Sequence, residues 1–315
     1  MNPSSALDPL PAAARILLSH ALDYAGLFPP ARLDMAAALQ EFMHLRESPE
    51  AWALGRFLLP AKRWPDFERE LCRHSAMHAD FEISLIFDSM AELQSCPPAT
   101  PQHFMGRITA VEMKESLWSG QIGFPSKLDQ IPQAQWIEIT PGDDLSRKLH
   151  SLKQTGKFAK LRCGGLTPEA FPSTEAVADF ILAAAQSDIA WKATAGLHHA
   201  IRSRHSPDLG QPACMMHGYL NLFLAAALAW DLAGKGIVTQ ATRDKVRDIL
   251  EENDPQAFTL NDDGALWRGL SIGNAVLLDS RQKFLSSFGT CSFLEPMQEL
   301  RRLLPQFQSP LRVGN

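Results

Sequence analysis

"FAKLRCGGLTPEAFPSTEAVADFILAAAQSDIAWKATAG", residues 158–196, holds two short β-rich runs with a helical segment between them. The first run ends in Gly164-Gly165, where the chain can turn sharply. The segment "STEAVADFILAAAQS" has helical spacing of its apolar residues, with Ser173 or Thr174 placed to cap it. "IAWKATAG" then restarts the extended pattern. A strand, a helix and a second strand of this length make a parallel unit joined by a right-handed crossover.

Upstream the same unit recurs. "GRFLLP", "FEISLIFD", "ITAVEMK" and "QWIEITP" are β-rich runs at near-regular intervals, and "DFERELCRHSAMH" and "DDLSRKLHSLKQTG" are amphipathic pieces between them. Regular alternation leaves a closed barrel or an open doubly wound sheet. No GxGxxG follows the first run and no GxxxxGK[ST] occurs, so the nucleotide signatures of an open sheet are missing and no cofactor is expected. The runs also carry charge near their C-terminal ends, where a barrel gathers its site. The expected fold is α/β: a TIM-barrel-like parallel (β/α) barrel, one domain over residues 1–315. Residues 1–54 read as an N-terminal helical layer broken by Phe28-Pro29-Pro30, and residues 55–196 as six strand-helix units. Residues 197–315 read as C-terminal helices, a hairpin or seventh strand around Asp263-Gly264, and a closing strand in "FLSSFGTCSF".

Bulk composition sets limits on function. With 45% hydrophobic and 21% charged residues the chain can bury a large core, and its net charge of -5 offers no basic stripe for nucleic acid. Five scattered cysteines without CxxC spacing argue against a disulfide framework, and the N-terminus lacks a signal-peptide pattern, so a cytoplasmic setting is expected. The most apolar run, "YLNLFLAAALAW", is shorter than the roughly 20 residues a membrane span needs. A small-molecule substrate is the expected partner. Trp64, Trp118 and Trp230 are candidates for a homo-oligomer interface or for the core.

Side chains two apart on a strand share a face. Glu112 and Lys114, Glu138 and Thr140, Lys160 and Arg162, and Lys192 and Thr194 then share polar faces. Val111, Met113, Ile137, Ile139, Ala159, Leu161, Trp191 and Ala193 make the opposite ones. In a helix-covered barrel the polar set points inward, where several charges must pair or serve chemistry. Lys192 is the leading candidate: cations such as Lys160 and Arg162 nearby would depress its pKa and leave free amine to attack a carbonyl. Glu138 or Glu112 then moves the proton. The structural alternative pairs Lys192 with Glu138 and Lys160 with Glu112.

"KATAG" resembles the lysine-threonine-x-threonine-glycine segment that carries the Schiff-base lysine in class I aldolases of the deoxyribose-phosphate aldolase type. The resemblance implies a lyase with Lys192 as the amine and with the following Thr194 near a phosphate or hydroxyl of the substrate. Arg162, Lys114, His198, His199, Ser287 and Thr290 are the candidate substrate contacts, the last two beside a helix N-terminus suited to phosphate. Ser292 and Glu295 have capping-box spacing at that same helix. A second reading is a metal-dependent hydrolase or lyase, with His198, His199, His205 or His217 joining Asp88, Glu112 or Glu138 at an open metal site. A third is a barrel that binds small anions without chemistry.

Overall fold

The computed structural model describes residues 10–73, 81–94, 107–118 and 134–308. Eight parallel strands close a barrel: β1 (Leu22–Tyr24), β2 (Leu54–Pro60), β3 (Glu82–Phe87), β4 (Arg107–Lys114), β5 (Ala134–Glu138), β6 (Phe158–Arg162), β7 (Trp191–Thr194) and a last strand, Leu285–Thr290. The TIM-barrel-like reading is right, and the six runs of the sequence are β2 to β7.

Two small antiparallel sheets lie between β7 and closure. β8 (Ser203–His205) pairs antiparallel with β9 (Cys214–Met216), and β10 (Phe258–Leu260), β11 (Gly264–Trp267) and β12 (Leu270–Gly273) form an antiparallel sheet. The Asp263-Gly264 segment is thus a hairpin and not a barrel strand. The Asn261 side chain makes the turn, accepting from the amides of Asp263 and Gly264 at 2.9 Å each. The closing strand Leu285–Thr290 is therefore β13.

The N-terminal layer needs correction. Helices Ala12–Leu18 and Met35–Arg46 are present, but between them Leu22–Tyr24 is the first barrel strand, paired with β13 on one side and β2 on the other. All three of its residues are buried, so it has no polar-apolar alternation to reveal it.

Sequence dictates the helix boundaries locally. The Ser173 side chain accepts from the amide of Ala176 to cap helix Thr174–Gln186, and Thr239 with Thr242 forms a reciprocal capping box on helix Gln240–Glu251. The expected helix at "DFERELCRHSAMH" is seen as Trp64–Arg73, its remainder lying outside the described residues. Helix Tyr219–Gly234 is apolar on nearly every side because it is enclosed: Tyr219 stacks on Phe288 of β13 at 5.4 Å, and neighbouring helices cover its other faces. Among the described residues no helix is long and apolar enough to cross a membrane.

The barrel wall sorts side chains as the period of two demands. Val111, Met113, Ile137, Ile139, Ala159, Leu161, Trp191 and Ala193 are all buried beneath the helices. Their strand neighbours turn into the barrel, where β6 and β7 run in a register that pairs Lys160 with Lys192 and Arg162 with Thr194. A barrel of this kind is normally filled with branched apolar side chains. Here ionised groups occupy much of the centre.

Candidate active site

Five strands contribute to a chain of alternating charge through the barrel interior. At its inner end Asp23 of β1 takes a hydrogen bond from the Ser287 hydroxyl at 2.7 Å and one from the amide of Arg56 at 2.8 Å. Lys192 Nζ lies 2.5 Å from Asp23 Oδ2 and 2.7 Å from Glu112 Oε1. The Ser84 hydroxyl donates to the same Glu112 oxygen at 2.7 Å, while Glu112 Oε2 lies 2.9 Å from Lys160 Nζ. Lys160 continues to Glu138 at 3.2 Å, and Glu138 to Arg162 at 2.8 Å. Three acids and three bases balance, which is what makes their burial tolerable.

The chain runs from sealed to open. Asp23, Glu112 and Lys192 are fully buried, Lys160 nearly so, and the Arg162 side chain is 46% exposed. Burial alone would push Glu112 toward the neutral acid, but Lys160 and Lys192 outweigh it and hold the carboxyl far below the usual range. Glu138 is depressed in the same way by Lys160 and Arg162. For Lys160, desolvation opposes the charge, yet Glu112 and Glu138 prevail and raise its pKa.

A stability profile follows from these directions. The depressed carboxylates contribute fully above about pH 4.3, the ordinary glutamate value, and lose that contribution as pH falls through their folded values. Lys160, raised, contributes fully below about pH 10.4 and loses it as pH rises through its folded value. The urea midpoint should therefore fall in acid with wild-type Glu138, and Glu138→Gln should show a shallower acid slope. Equal slopes would mean that Glu138 is not held by its cations.

Above the charge chain, at the C-terminal ends of the strands, is a cavity of about 460 Å³. Lys160, Arg162, Lys114, Glu138, Thr194 and His198 line it, with Asp88 and the Phe28-Pro29-Pro30 loop on its wall. Three larger grooves, of about 670 Å³ beside Arg147, about 710 Å³ beside Trp230 and about 630 Å³ beside Arg281, do not include Lys160, though the first shares Glu138 and Lys114 with the cavity. The cavity is where the charge chain surfaces.

Several sequence expectations are corrected by this geometry. Lys192 is not held among cations: two carboxylates grip it, and it lies beneath the cavity with Glu112. Of the two pairings drawn from sequence, Lys160 with Glu112 is present at 2.9 Å, but Lys192 pairs with Asp23 and Glu112 in place of Glu138. Ser287 and Thr290 do not line the mouth cavity. Ser287 is spent on Asp23, and the buried Thr290 hydroxyl donates to the carbonyl of Ser292 at 2.7 Å. Ser292 in turn caps the following helix through the amide of Glu295, as its spacing predicts.

The histidines diverge. His199 stacks on His205 with ring centroids 3.6 Å apart and reaches Glu299 at 3.3 Å, away from the cavity wall. The ring of His217 is buried against the carbonyl of Pro172 at 2.8 Å, and burial lowers its pKa. Only His198 of the four borders the cavity. Among the described residues no group of three His, Cys, Asp or Glu side chains converges as a metal ion would require.

Two participants escaped the sequence reading. Asp23 sits in an unrecognised strand 169 positions from Lys192. Cys291, 93 positions from His198 with no motif joining them, lies 3.8 Å from His198 Nδ1. No protein-family profile matches the chain, and no curated protein or solved structure matches it either.

Proposed function

We propose that this barrel is an enzyme of carbonyl carbon chemistry, a lyase of the Schiff-base kind, that takes a small anionic carbonyl compound in the mouth cavity and uses Lys160 as its amine. One observation carries the reading: Lys160 is the buried ammonium that both borders the cavity and stands between two carboxylates. An iminium at Nζ bears the same single positive charge as the resting ammonium. Glu112 and Glu138 therefore stabilise the cationic intermediate in place, with no reorganisation at the moment of reaction.

Arg162 and Lys114 at the cavity wall receive the substrate's anionic group. As that group engages Arg162, its hold on Glu138 loosens, and Glu138 accepts the proton of Lys160. The free amine adds to the carbonyl carbon, Glu138 returns its proton to the carbinolamine oxygen, and water leaves, giving the iminium. Glu138 then takes the proton of the hydroxyl on the departing carbon as the carbon-carbon bond breaks, its electron pair drawn into the iminium and that fragment leaving as a carbonyl. Glu138 gives the proton to the enamine carbon, and water hydrolyses the product iminium back to the ammonium and a carbonyl. Lys192, sealed below, positions Glu112 rather than touching substrate.

Borohydride reduction in the presence of a panel of small aldehydes and ketones bearing carboxylate or phosphate tests the proposal. Peptide mapping should find the reduced adduct on Lys160, and Lys160→Met should abolish it. An adduct on Lys192 would return the amine to the deeper lysine. No adduct across the panel would remove the Schiff base from consideration.

A further inference from the structure

The amine chemistry leaves one reactive group in the same cavity unused. Cys291 follows directly on β13 and is partly buried, and His198 comes from the turn after β7. Both border the cavity. His198 Nδ1 stands 3.8 Å from Cys291 Sγ and 3.5 Å from Glu295 Oε2, so one ring nitrogen faces both a thiol and a carboxylate. Neither strand end alone would make this pair: closure of the barrel brings β7 and β13 side by side.

We infer that Cys291 and His198 form a nucleophilic thiol site for aldehydes and related carbon electrophiles entering the barrel mouth. The thiol proton passes to His198, and the imidazolium is held by Glu295. Sγ then bonds to the carbonyl carbon, the π pair moves to oxygen, and oxygen takes the proton back from His198. The product is a hemithioacetal, formed without oxidant, reductant or leaving group.

The surroundings favour a proton on His198. Burial opposes charge on His198, but Cys291 and Glu295 outweigh it and push the imidazole up to about 9. The contrast is Cys163, enclosed in the wall, whose thiol burial drives up to about 12. Cys72, exposed on helix Trp64–Arg73, serves as the reference for an ordinary surface thiol.

Alkylation of the full chain by iodoacetamide at pH 7, followed by peptide mass spectrometry, reads the site directly. In that reaction the S–C bond forms as C–I breaks, iodide leaves with the electron pair, and the thiol proton goes to His198. Cys291 should be alkylated about tenfold faster than Cys72, because an adjacent imidazole takes its proton as the S–C bond forms. Glycolaldehyde added beforehand should slow Cys291 and leave Cys72 unchanged. In His198→Gln the advantage should vanish, with circular dichroism confirming the fold. Equal rates at Cys291 and Cys72 in the wild-type chain would overturn the inference, as would an advantage that survives in folded His198→Gln. Because the readout is at sulfur, its outcome is separate from that of borohydride trapping at Lys160.

Discussion

Glu112→Leu is expected to destabilise the protein by about 3–5 kcal/mol, seen as a much lower urea midpoint, because it strips a shared counter-ion from two buried ammonium groups. Glu112 is wholly enclosed and contacts Lys160, Lys192 and Ser84 at once. Without it, Lys192 retains only Asp23 and Lys160 only Glu138, and the barrel centre gains a net positive charge. Arg162→Ala makes the useful comparison. It too breaks an ion pair, with Glu138, but Arg162 is 46% exposed, and pairs in contact with solvent are worth roughly 0–1 kcal/mol. The double change Glu112→Leu with Lys192→Met should cost less than the sum of its parts, since each removes the other's uncompensated charge. A Glu112→Leu midpoint close to that of Arg162→Ala would mean that the interior charges are solvated, and the sealed centre on which the amine chemistry rests would be lost.

The same chain of contacts shows how far sequence could lead. The inward set Glu112, Glu138, Lys160, Arg162 and Lys192 is legible because each residue alternates with a buried apolar neighbour, a pattern fixed by the geometry of a single strand. Which charge meets which is not legible. Lys160 and Lys192 are register partners on adjacent strands, yet their amines reach carboxylates on β1, β4 and β5. That choice depends on how the strands tilt when the barrel closes. Asp23 was hidden for a related reason: three buried residues are too few to show a period, and the strand exists only because β13 and β2 flank it. Capping signals are more reliable, as at Ser173 and Ser292, because a cap is made within four residues.

Gly196→Ala should cost about 2–5 kcal/mol and should damage the site before it unfolds the barrel. Gly196 has φ of +74°, a conformation that costs an L-residue roughly 1–2 kcal/mol. A Cβ there would also stand 2.8 Å from the Cα of Gly164 and 2.9 Å from the carbonyl oxygen of Cys163. These are backbone atoms and cannot rotate aside, so overpacking adds a further 1–3 kcal/mol or so. The two glycines end β7 and β6, where the amide of Cys163 donates to the carbonyl of Thr194 at 2.8 Å, and their contact draws the two strand ends together. Ala195 is the control. It already holds φ of +60°, so Ala195→Gly relieves strain while adding chain entropy, and the two nearly cancel. Forcing Gly196 from Gly164 displaces the turn that carries His198 into the cavity, so the fast alkylation of Cys291 should be lost in Gly196→Ala and kept in Ala195→Gly. Equal midpoints for these two variants would show that the turn yields, and that the close approach of the strand ends is not what positions His198.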